Sequence, residues 1–278
     1  MISIIWDTRG YFFWLLMASL LCFALERFWP WRKTQPALRP QLGQDLIWLI
    51  LNGHYVGIAI SAVTVYLGAK LAPGFFEHME SYHLLSTWPL AAQILVFFIL
   101  KDFFEWCVHN LLHRNRYLWE LHKLHHSIVD MDWIGSFRFH WGEVVVYHTL
   151  TYLPLVIMGV DGRVILWIAI FATLIGHLNH SNLNITWGPL RYIFNSPRMH
   201  IWHHEHELTP AHPSGVNFGI SLSLWDWLLG TAHWPDLQHA PTQQPEKLGF
   251  HGLNHYPKSF VARLFYPLTR RSRNSKPD

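Results

Sequence analysis

Long apolar stretches constrain the fold of this chain more than any other feature. A bilayer core is spanned by about 20 apolar residues in an α-helix, which satisfies every backbone polar group internally. The apolar runs of suitable character are Tyr11–Trp29, Leu46–Leu71, Pro89–Leu100, Val144–Val160 and Val164–Ile175. The last run is short and is expected to be tilted or re-entrant. The pattern predicts an all-α integral membrane helical bundle with about four to five spans.

The composition agrees with a membrane protein. Only 14% of the residues are charged, whereas soluble domains carry about 25%. The 16 tryptophans suit membrane interfaces. The net charge of +3 is small, and the basic residues cluster at the ends of apolar runs, which indicates contact with headgroups and no nucleic-acid partner. Cys22 and Cys107 lie outside any CxxC pattern, so neither a zinc knuckle nor a disulfide framework is predicted.

Histidines are concentrated in groups with helical spacing. Residues three or four apart share one face of a helix, so each group presents its imidazoles in one direction. Ten of the 21 histidines fall into these groups, namely His109/His113, His122/His125/His126, His177/His180 and His200/His203/His204. Each group follows the end of an apolar run or lies in the more polar sequence after it.

Loop charges predict how the chain lies in the membrane. The loop at 32–39 is basic and is expected in the cytoplasm. The acidic loop at 77–80 and the turn at 161–163 then fall outside, and every histidine group and the basic tail at 270–276 fall inside. The metal site is therefore predicted on the cytoplasmic side of a multi-pass protein, in a histidine-rich helical cap.

The positions of the apolar runs and of the histidine groups predict how the chain is divided into regions. Residues 1–100 are predicted as membrane-spanning helices, and residues 101–231 as a histidine-box catalytic region that includes a membrane hairpin at 144–178. Residues 232–278 form a polar C-terminal segment with a basic tail. Within the catalytic region, Asn217–Thr231 is predicted as a short helix that covers the site.

The number of grouped histidines indicates two metal ions. Neutral imidazole is a good ligand for iron, copper, zinc and nickel. One structural zinc ion needs about four ligands, and nine to eleven grouped histidines exceed that need. Two ions about 3.5–4 Å apart can act jointly on one bound molecule. Beside apolar helices, such a centre suits the oxidation of a lipid C–H bond, which requires a redox metal.

Carboxylates near the first group are candidates for supporting roles. Asp102, Glu105 and His109 lie at i, i+3 and i+7 and share a helix face. A buried acid often accepts the second N–H of a ligating histidine, and Asp102 or Glu105 is predicted in that role. The alternative is a charge at the helix end that faces water. Glu143 and Asp226 are further candidates for the same role.

Six ordered segments carry a resemblance to a known family. They read DFFEWCVHNLLH, LWELHKLHHS, RFHWGE, HLNHSN, SPRMHIWHH and NFGISLSLWDWLLGT, and they cover Lys101 to about Thr231. In this order and spacing the chain resembles the fatty acid hydroxylase/sterol desaturase superfamily of membrane histidine-box di-iron oxygenases. The resemblance implies two Fe ions held by histidines, with O2 and a reduced electron carrier as co-substrates. It also implies hydroxylation or desaturation of a lipid, fatty-acyl, sterol or related.

The resemblance assigns roles residue by residue. The implied metal ligands are His109, His113, His122, His125, His126, His177, His180, His200, His203 and His204. The roles of His140 and His177 as ligands are left open. No cytochrome b5-like segment is recognised, so a separate electron donor is expected, ferredoxin-like or cytochrome b5-like.

Other functions make different demands on the sequence. A metal transporter needs polar residues spaced through several spans, whereas the histidines lie at span ends. An intramembrane zinc protease needs a HExxH helix, and HHEHE at 203–207 lacks that spacing. The histidine positions thus favour an enzyme, and a non-redox metal-binding membrane protein such as a metal transporter is kept as the alternative function.

Overall fold

The described part of the chain is helical. The computed structural model describes residues 7–71, 73–74, 78, 85–234 and 243–268. Within these residues no strand forms, and isolated bridges pair single residues only. The α-helices are α1 (Tyr11–Phe28), α2 (Leu42–Ile50), α3 (Gly57–Leu71), α4 (Leu90–Arg114), α5 (Arg116–His126), α6 (Trp141–Ile157), α7 (Gly162–His180), α8 (Pro197–His203), α9 (Leu224–Leu229) and α10 (Phe260–Leu264).

Among the described residues, three helical stretches are long and apolar enough to cross a membrane. They are α1, the stretch Leu42–Lys70 and α7. In Leu42–Lys70 a π-helical segment, Leu51–Val56, joins α2 to α3 without a break. Helix α4 contains the charged residues Lys101, Asp102 and Glu105, and α6 has only 17 residues. These two helices are therefore not among the candidate spans. The predicted all-α membrane fold is confirmed, and the count of four to five spans stays a prediction.

The orientation in the membrane also stays a prediction. Of the charges used to predict it, Glu77, Glu80 and the tail residues Arg270, Arg271, Arg273 and Lys276 lie outside the described residues.

Helix α4 lies against both arms of the predicted hairpin. It packs against α6 and α7, and their shared core includes Phe97, Leu155 and Ile168. Asp161 caps α7 by accepting a 2.7 Å hydrogen bond from the backbone N–H of Arg163. Because α4 and α7 pack side by side, their histidine-bearing ends come together.

Local capping positions the two short histidine helices. The Asn115 side chain accepts hydrogen bonds from the backbone N–H groups of Tyr117 and Leu118 and starts α5 directly after α4. Ser196 caps α8 by accepting from Met199, with proline at the first helical position. Both helices therefore begin at residues fixed by the local sequence.

A buried ion network ties the loop after α1 to the histidine-bearing cap. Asp45 accepts from Arg39 at 2.7 Å and from both Nε and Nη2 of Arg138 at 2.6 Å. Arg39 also pairs with Asp132 at 2.6 Å. All four side chains are almost fully buried. Breaking such a pair leaves an uncompensated buried charge, so this network stabilises one arrangement of the cap.

Candidate metal centre

Histidines from four helices form two separate groups. Within each group the ligand nitrogens all lie within 4.8 Å of one another. This spacing suits one ion per group, because metal–nitrogen bonds of about 2.0–2.1 Å place opposite ligands about 4 Å apart. The first group is His109, His113, His122, His126 and His203, and the second is His125, His180, His200 and His204.

Backbone carbonyls fix the tautomers of several rings. Nδ1 lies 2.7 Å from the Phe218 carbonyl in His109 and 2.8 Å from the Val216 carbonyl in His203. In His180 the same nitrogen lies 2.8 Å from the Gly176 carbonyl. A carbonyl only accepts, so each Nδ1 carries the proton and donates it. The Nε2 lone pairs of these three rings are therefore free to bind a metal.

In the first group the inward nitrogens cannot all be satisfied by hydrogen bonds between the rings. His126 Nε2 lies 3.1 Å from both His113 Nε2 and His203 Nε2. One N–H can satisfy only one of these contacts. The buried Nε2 atoms of His109 and His122 have no hydrogen-bond partner. A cation would satisfy all five nitrogens, so the donor set fits a bound metal ion.

The second group also contains close ring nitrogens and buried nitrogens without a hydrogen-bond partner. His180 Nε2 lies 3.1 Å from His200 Nε2 and 3.2 Å from His125 Nε2. Both ring nitrogens of His204 are buried without a partner. Burial lowers the pKa of His204 well below the ordinary value, and neighbouring rings lower it further. The ring is therefore neutral near pH 7, which is the state that binds metal.

The two histidine groups lie directly beside each other. His125 and His126 are adjacent in α5 but belong to different groups, as do His203 and His204. Consecutive residues on a helix point about 100° apart, so one HxxHH motif supplies both groups. The stacked rings of His126 and His204 lie 4.6 Å apart between centroids. The groups therefore form one paired centre.

Glu143 supports the first group. Its Oε1 lies 2.6 Å from Nδ1 of His122, and both side chains are 0% exposed. A carboxylate in this position fixes the ring and raises its basicity toward a metal. The sequence places Glu143 among several candidate acids, and the 21-residue separation from His122 gives no local signal for the pair.

The structure does not place Asp102 or Glu105 beside His109 as the sequence predicted. Asp102 instead accepts hydrogen bonds from backbone N–H groups at 221 and 222 and from Trp225. Glu105 forms an ion pair with Lys101. Residues seven apart share a helix face but are separated by about 10 Å along the axis, which is beyond the reach of an aspartate.

Asp102 and Asp226 shape the segment Asn217–Leu222, called here the roof loop. Asp226 accepts from the backbone N–H groups of Phe218 and Gly219 at 2.9 and 2.8 Å. The loop in turn supplies the Phe218 carbonyl that orients His109. The two carboxylates thus act on the metal centre through the loop.

The helix predicted over Asn217–Thr231 is wrong for its first half. Only Leu224–Leu229 is helical. Asn217 has φ 55°, and the following N–H groups bond to carboxylates rather than to helical carbonyls. A Cβ on Gly219 would lie 2.4 Å from the Leu222 carbonyl oxygen, so this position requires glycine.

His177 and His140 lie outside both groups. The two ring nitrogens of His177 bond to the Ser19 and Ser136 hydroxyls at 3.0 and 2.6 Å. Packing of α7 against α1 and the segment Trp133–Phe137 turns this ring away from His180. His140 accepts from Gly142 N–H at Nδ1 and donates to the Leu264 carbonyl from Nε2. In each neutral ring the one lone pair already accepts a hydrogen bond, so the structure places neither ring in the metal centre, in contrast to the prediction for His177.

A third cluster differs from the paired centre. His206, Glu207 and His251 bring their ligand atoms together at the surface. Glu207 is 71% exposed and already pairs with His206 at 2.7 Å. Since its groups satisfy one another and face water, we assign no metal to it.

The fold and the site together define a class, that of helical membrane proteins with a paired, all-histidine metal centre. Comparison with known proteins narrows this class. Residues 94–231 match the sequence model of the fatty acid hydroxylase family. The chain is 32% identical to ornithine lipid hydroxylase OlsE of Rhizobium tropici over 251 residues, which cover 89% of this chain and 72% of that protein. The chain belongs to the fatty acid hydroxylase family.

More distant relatives belong to the same superfamily. Methylsterol monooxygenase 1 of Rattus norvegicus is 25% identical over 207 residues, which cover 73% of this chain and 67% of that protein. Very-long-chain aldehyde decarbonylase GL1-10 of Oryza sativa subsp. japonica is 26% identical over 149 residues, 52% of this chain and 48% of that protein. No solved structure matches. The predicted superfamily and the class of membrane lipid oxygenase are confirmed, and the transporter alternative is not favoured.

Proposed function

We propose that this protein hydroxylates a C–H bond of an amino-acid-containing membrane lipid of the ornithine-lipid type, using O2 and electrons. The observation that carries the proposal is the 32% identity to an ornithine lipid hydroxylase over 89% of the chain. Two further relatives, a monooxygenase and a decarbonylase, share the superfamily but align over less of the chain.

Two iron ions are proposed as the cofactor. His109, His113, His122, His126 and His203 would hold one ion, and His125, His180, His200 and His204 the other. The neutral nitrogen donors and the two separate groups support this assignment. When bound, the irons supply the redox chemistry that activates O2 for attack on an unactivated C–H bond.

The residues around the irons orient the ligands and exclude water. The Phe218 carbonyl of the roof loop and the Val216 carbonyl just before it orient His109 and His203 with Nε2 toward the other histidines of the group. Glu143 lies against His122, and its carboxylate form would offset the positive charge of a bound metal. Phe139 stacks on His125 with ring centroids 4.6 Å apart, and Phe218 lies 5.1 Å from His113. These rings shield the centre from solvent, which protects a reactive oxidant from side reactions.

A separate electron-donor protein, ferredoxin-like or cytochrome b5-like, is proposed to deliver the electrons. The metal centre is proposed to face the cytoplasm, where such a donor is reduced. The basic loop that includes Arg32, Lys33 and Arg39 supports this orientation through the positive-inside tendency.

The experiment uses the full chain in lipid nanodiscs loaded with iron. Ornithine lipid, 18O2 and a reduced ferredoxin system are added, and the lipids are analysed by mass spectrometry. The expected product gains one labelled oxygen atom, and metal analysis gives about two irons per chain. His125→Ala, which removes a ligand of the second group, is expected to form no product, whereas His140→Ala serves as the matched control and keeps activity. A product that loses two hydrogens would contradict hydroxylation, and an unchanged lipid pool with two irons bound would contradict the substrate.

A further inference from the structure

Exposed apolar side chains gather on one face of the cap, outside the three candidate spans. Leu228 and Leu229 on α9 are 66% and 51% exposed, and Leu190 is 50% exposed. Six of these residues, called here the interface face, are Trp187, Leu190, Tyr192, Ile193, Leu228 and Leu229. Contiguous apolar patches of this kind are uncommon on surfaces that face water and mark contact with a protein or a membrane.

The two segments that carry the interface face are joined into one unit. The Ser223 hydroxyl and the Trp227 indole both donate to the Arg191 carbonyl, at 2.6 and 3.1 Å. The rings of Tyr192 and Trp227 lie 4.8 Å apart between centroids. The apolar side chains therefore project from a single rigid piece of structure.

Contacts with α4 show on which side of the metal centre α9 lies. Trp225 donates to Asp102 at 2.9 Å and packs on Phe103 with ring centroids 5.0 Å apart. His109 lies seven residues further along α4, which is about 10 Å of helix. Helix α9 therefore sits nearer to the Leu90 end of α4 than the metal centre does.

Helix α7 gives a second measure of depth. The Asn179 side chain donates to the Ile220 carbonyl of the roof loop. Asn179 is the residue before the last of α7, a candidate span. The roof loop thus lies level with the end of a span, and α9 continues from it alongside the bundle.

The polar groups of this face suit lipid headgroups. The Arg191 guanidinium lies 4.8 Å from the Tyr192 ring and 5.6 Å from the Trp234 ring. Arginine with tryptophan and tyrosine at the rim of an apolar surface is the pattern of a membrane interface, where the charge reaches phosphates and the rings lie at headgroup level.

We propose that the interface face is buried in the headgroup–acyl boundary of the membrane leaflet next to the metal centre. Surface-lying helices bury their apolar side about 5–10 Å into this boundary. The hydrogen bond that links the roof loop to the end of α7, and the set of Arg191, Tyr192 and Trp234, favour the bilayer over a second copy of this chain. The roof loop then lies between lipid and the histidines. If the proposed lipid substrate is correct, it approaches the centre without crossing water.

The test labels single cysteines with an environment-sensitive fluorophore in full-length protein in phosphatidylcholine nanodiscs. Cys107 is exposed and Cys22 is buried, so Cys107→Ala is the parent. Leu228→Cys is compared with Val63→Cys in α3, a lipid-facing control, and Thr209→Cys, an exposed cap residue. Leu190→Cys is a second reporter on the same face. Iron content checks that each variant is folded.

Brominated acyl chains are expected to quench the labels at 228 and 190, as they quench the label at 63. Aqueous iodide is expected to quench the labels at 228 and 190 only weakly. The label at 209 should show the reverse. Strong iodide quenching at 228 and 190 without quenching by lipid would overturn the inference. Disulfide-linked dimers of Leu228→Cys in nanodiscs that hold two copies, with no quenching by lipid, would assign the face to a second copy and would also overturn it.

Discussion

Replacing Glu143 by glutamine tests how the paired centre is held together. The change keeps the side chain's shape and an oxygen that can accept from His122, but it removes the negative charge. The wild-type contact is 2.6 Å long between side chains that are both fully buried. Changing a group that supports a metal ligand typically lowers metal affinity about 10- to 100-fold, which corresponds to about 1.4–2.8 kcal/mol. Metal affinity of the first group is therefore expected to fall by about 10- to 100-fold.

The assay follows iron retention by nanodisc-embedded protein against increasing concentrations of a chelator. Glu143→Gln should lose one of two irons at a chelator concentration lower by that factor. Glu120→Gln is the matched control, because Glu120 lies on α5 with His122 but bonds to Lys123 and Tyr266. Folded Glu143→Gln protein that retains both irons as strongly as Glu120→Gln would refute the reasoning.

Further substitutions probe single contacts. His204→Ala should leave about one iron per chain, whereas His140→Ala should keep both, as measured by metal analysis; equal losses would contradict the assigned ligand set. Gly219→Ala places a Cβ 2.4 Å from the Leu222 carbonyl oxygen, so displacement of the roof loop should lower turnover at least about tenfold; normal turnover would show that the loop adapts. Asp45→Asn should lower the free energy of unfolding by about 3–5 kcal/mol, seen as an earlier thermal transition with unchanged metal stoichiometry.

Much of the local arrangement was predictable because it depends on residues close in sequence. The helical spacing of His122, His125 and His126 predicted a set of clustered rings, and α5 presents them to the centre. Distribution of neighbouring histidines between two groups was not predictable, because it depends on which helix faces each side of α5. The choice between His177 and His180 depends likewise on the packing of α7 against α1.

The supporting carboxylates show the same limit. Asp102 shares a helix face with His109, so the sequence predicted a contact between them. The structure shows Asp102 bonded to the roof loop and Trp225 instead, because a shared face does not specify the distance along the helix axis. Glu143 reaches His122 from another helix, and only the packing of α5 against α6 brings them within 2.6 Å.

By itself, the sequence determined that the chain forms apolar helices, that imidazoles gather on helix faces, and that the chain resembles a family of lipid oxygenases. These features arise from backbone hydrogen bonding, hydrophobicity and residue spacing within one helix. Only the tertiary structure decided which rings form one group, which carboxylate supports them and which apolar side chains outside the candidate spans are exposed. Those outcomes depend on contacts between segments far apart in the chain, and their geometry is set when the helices pack.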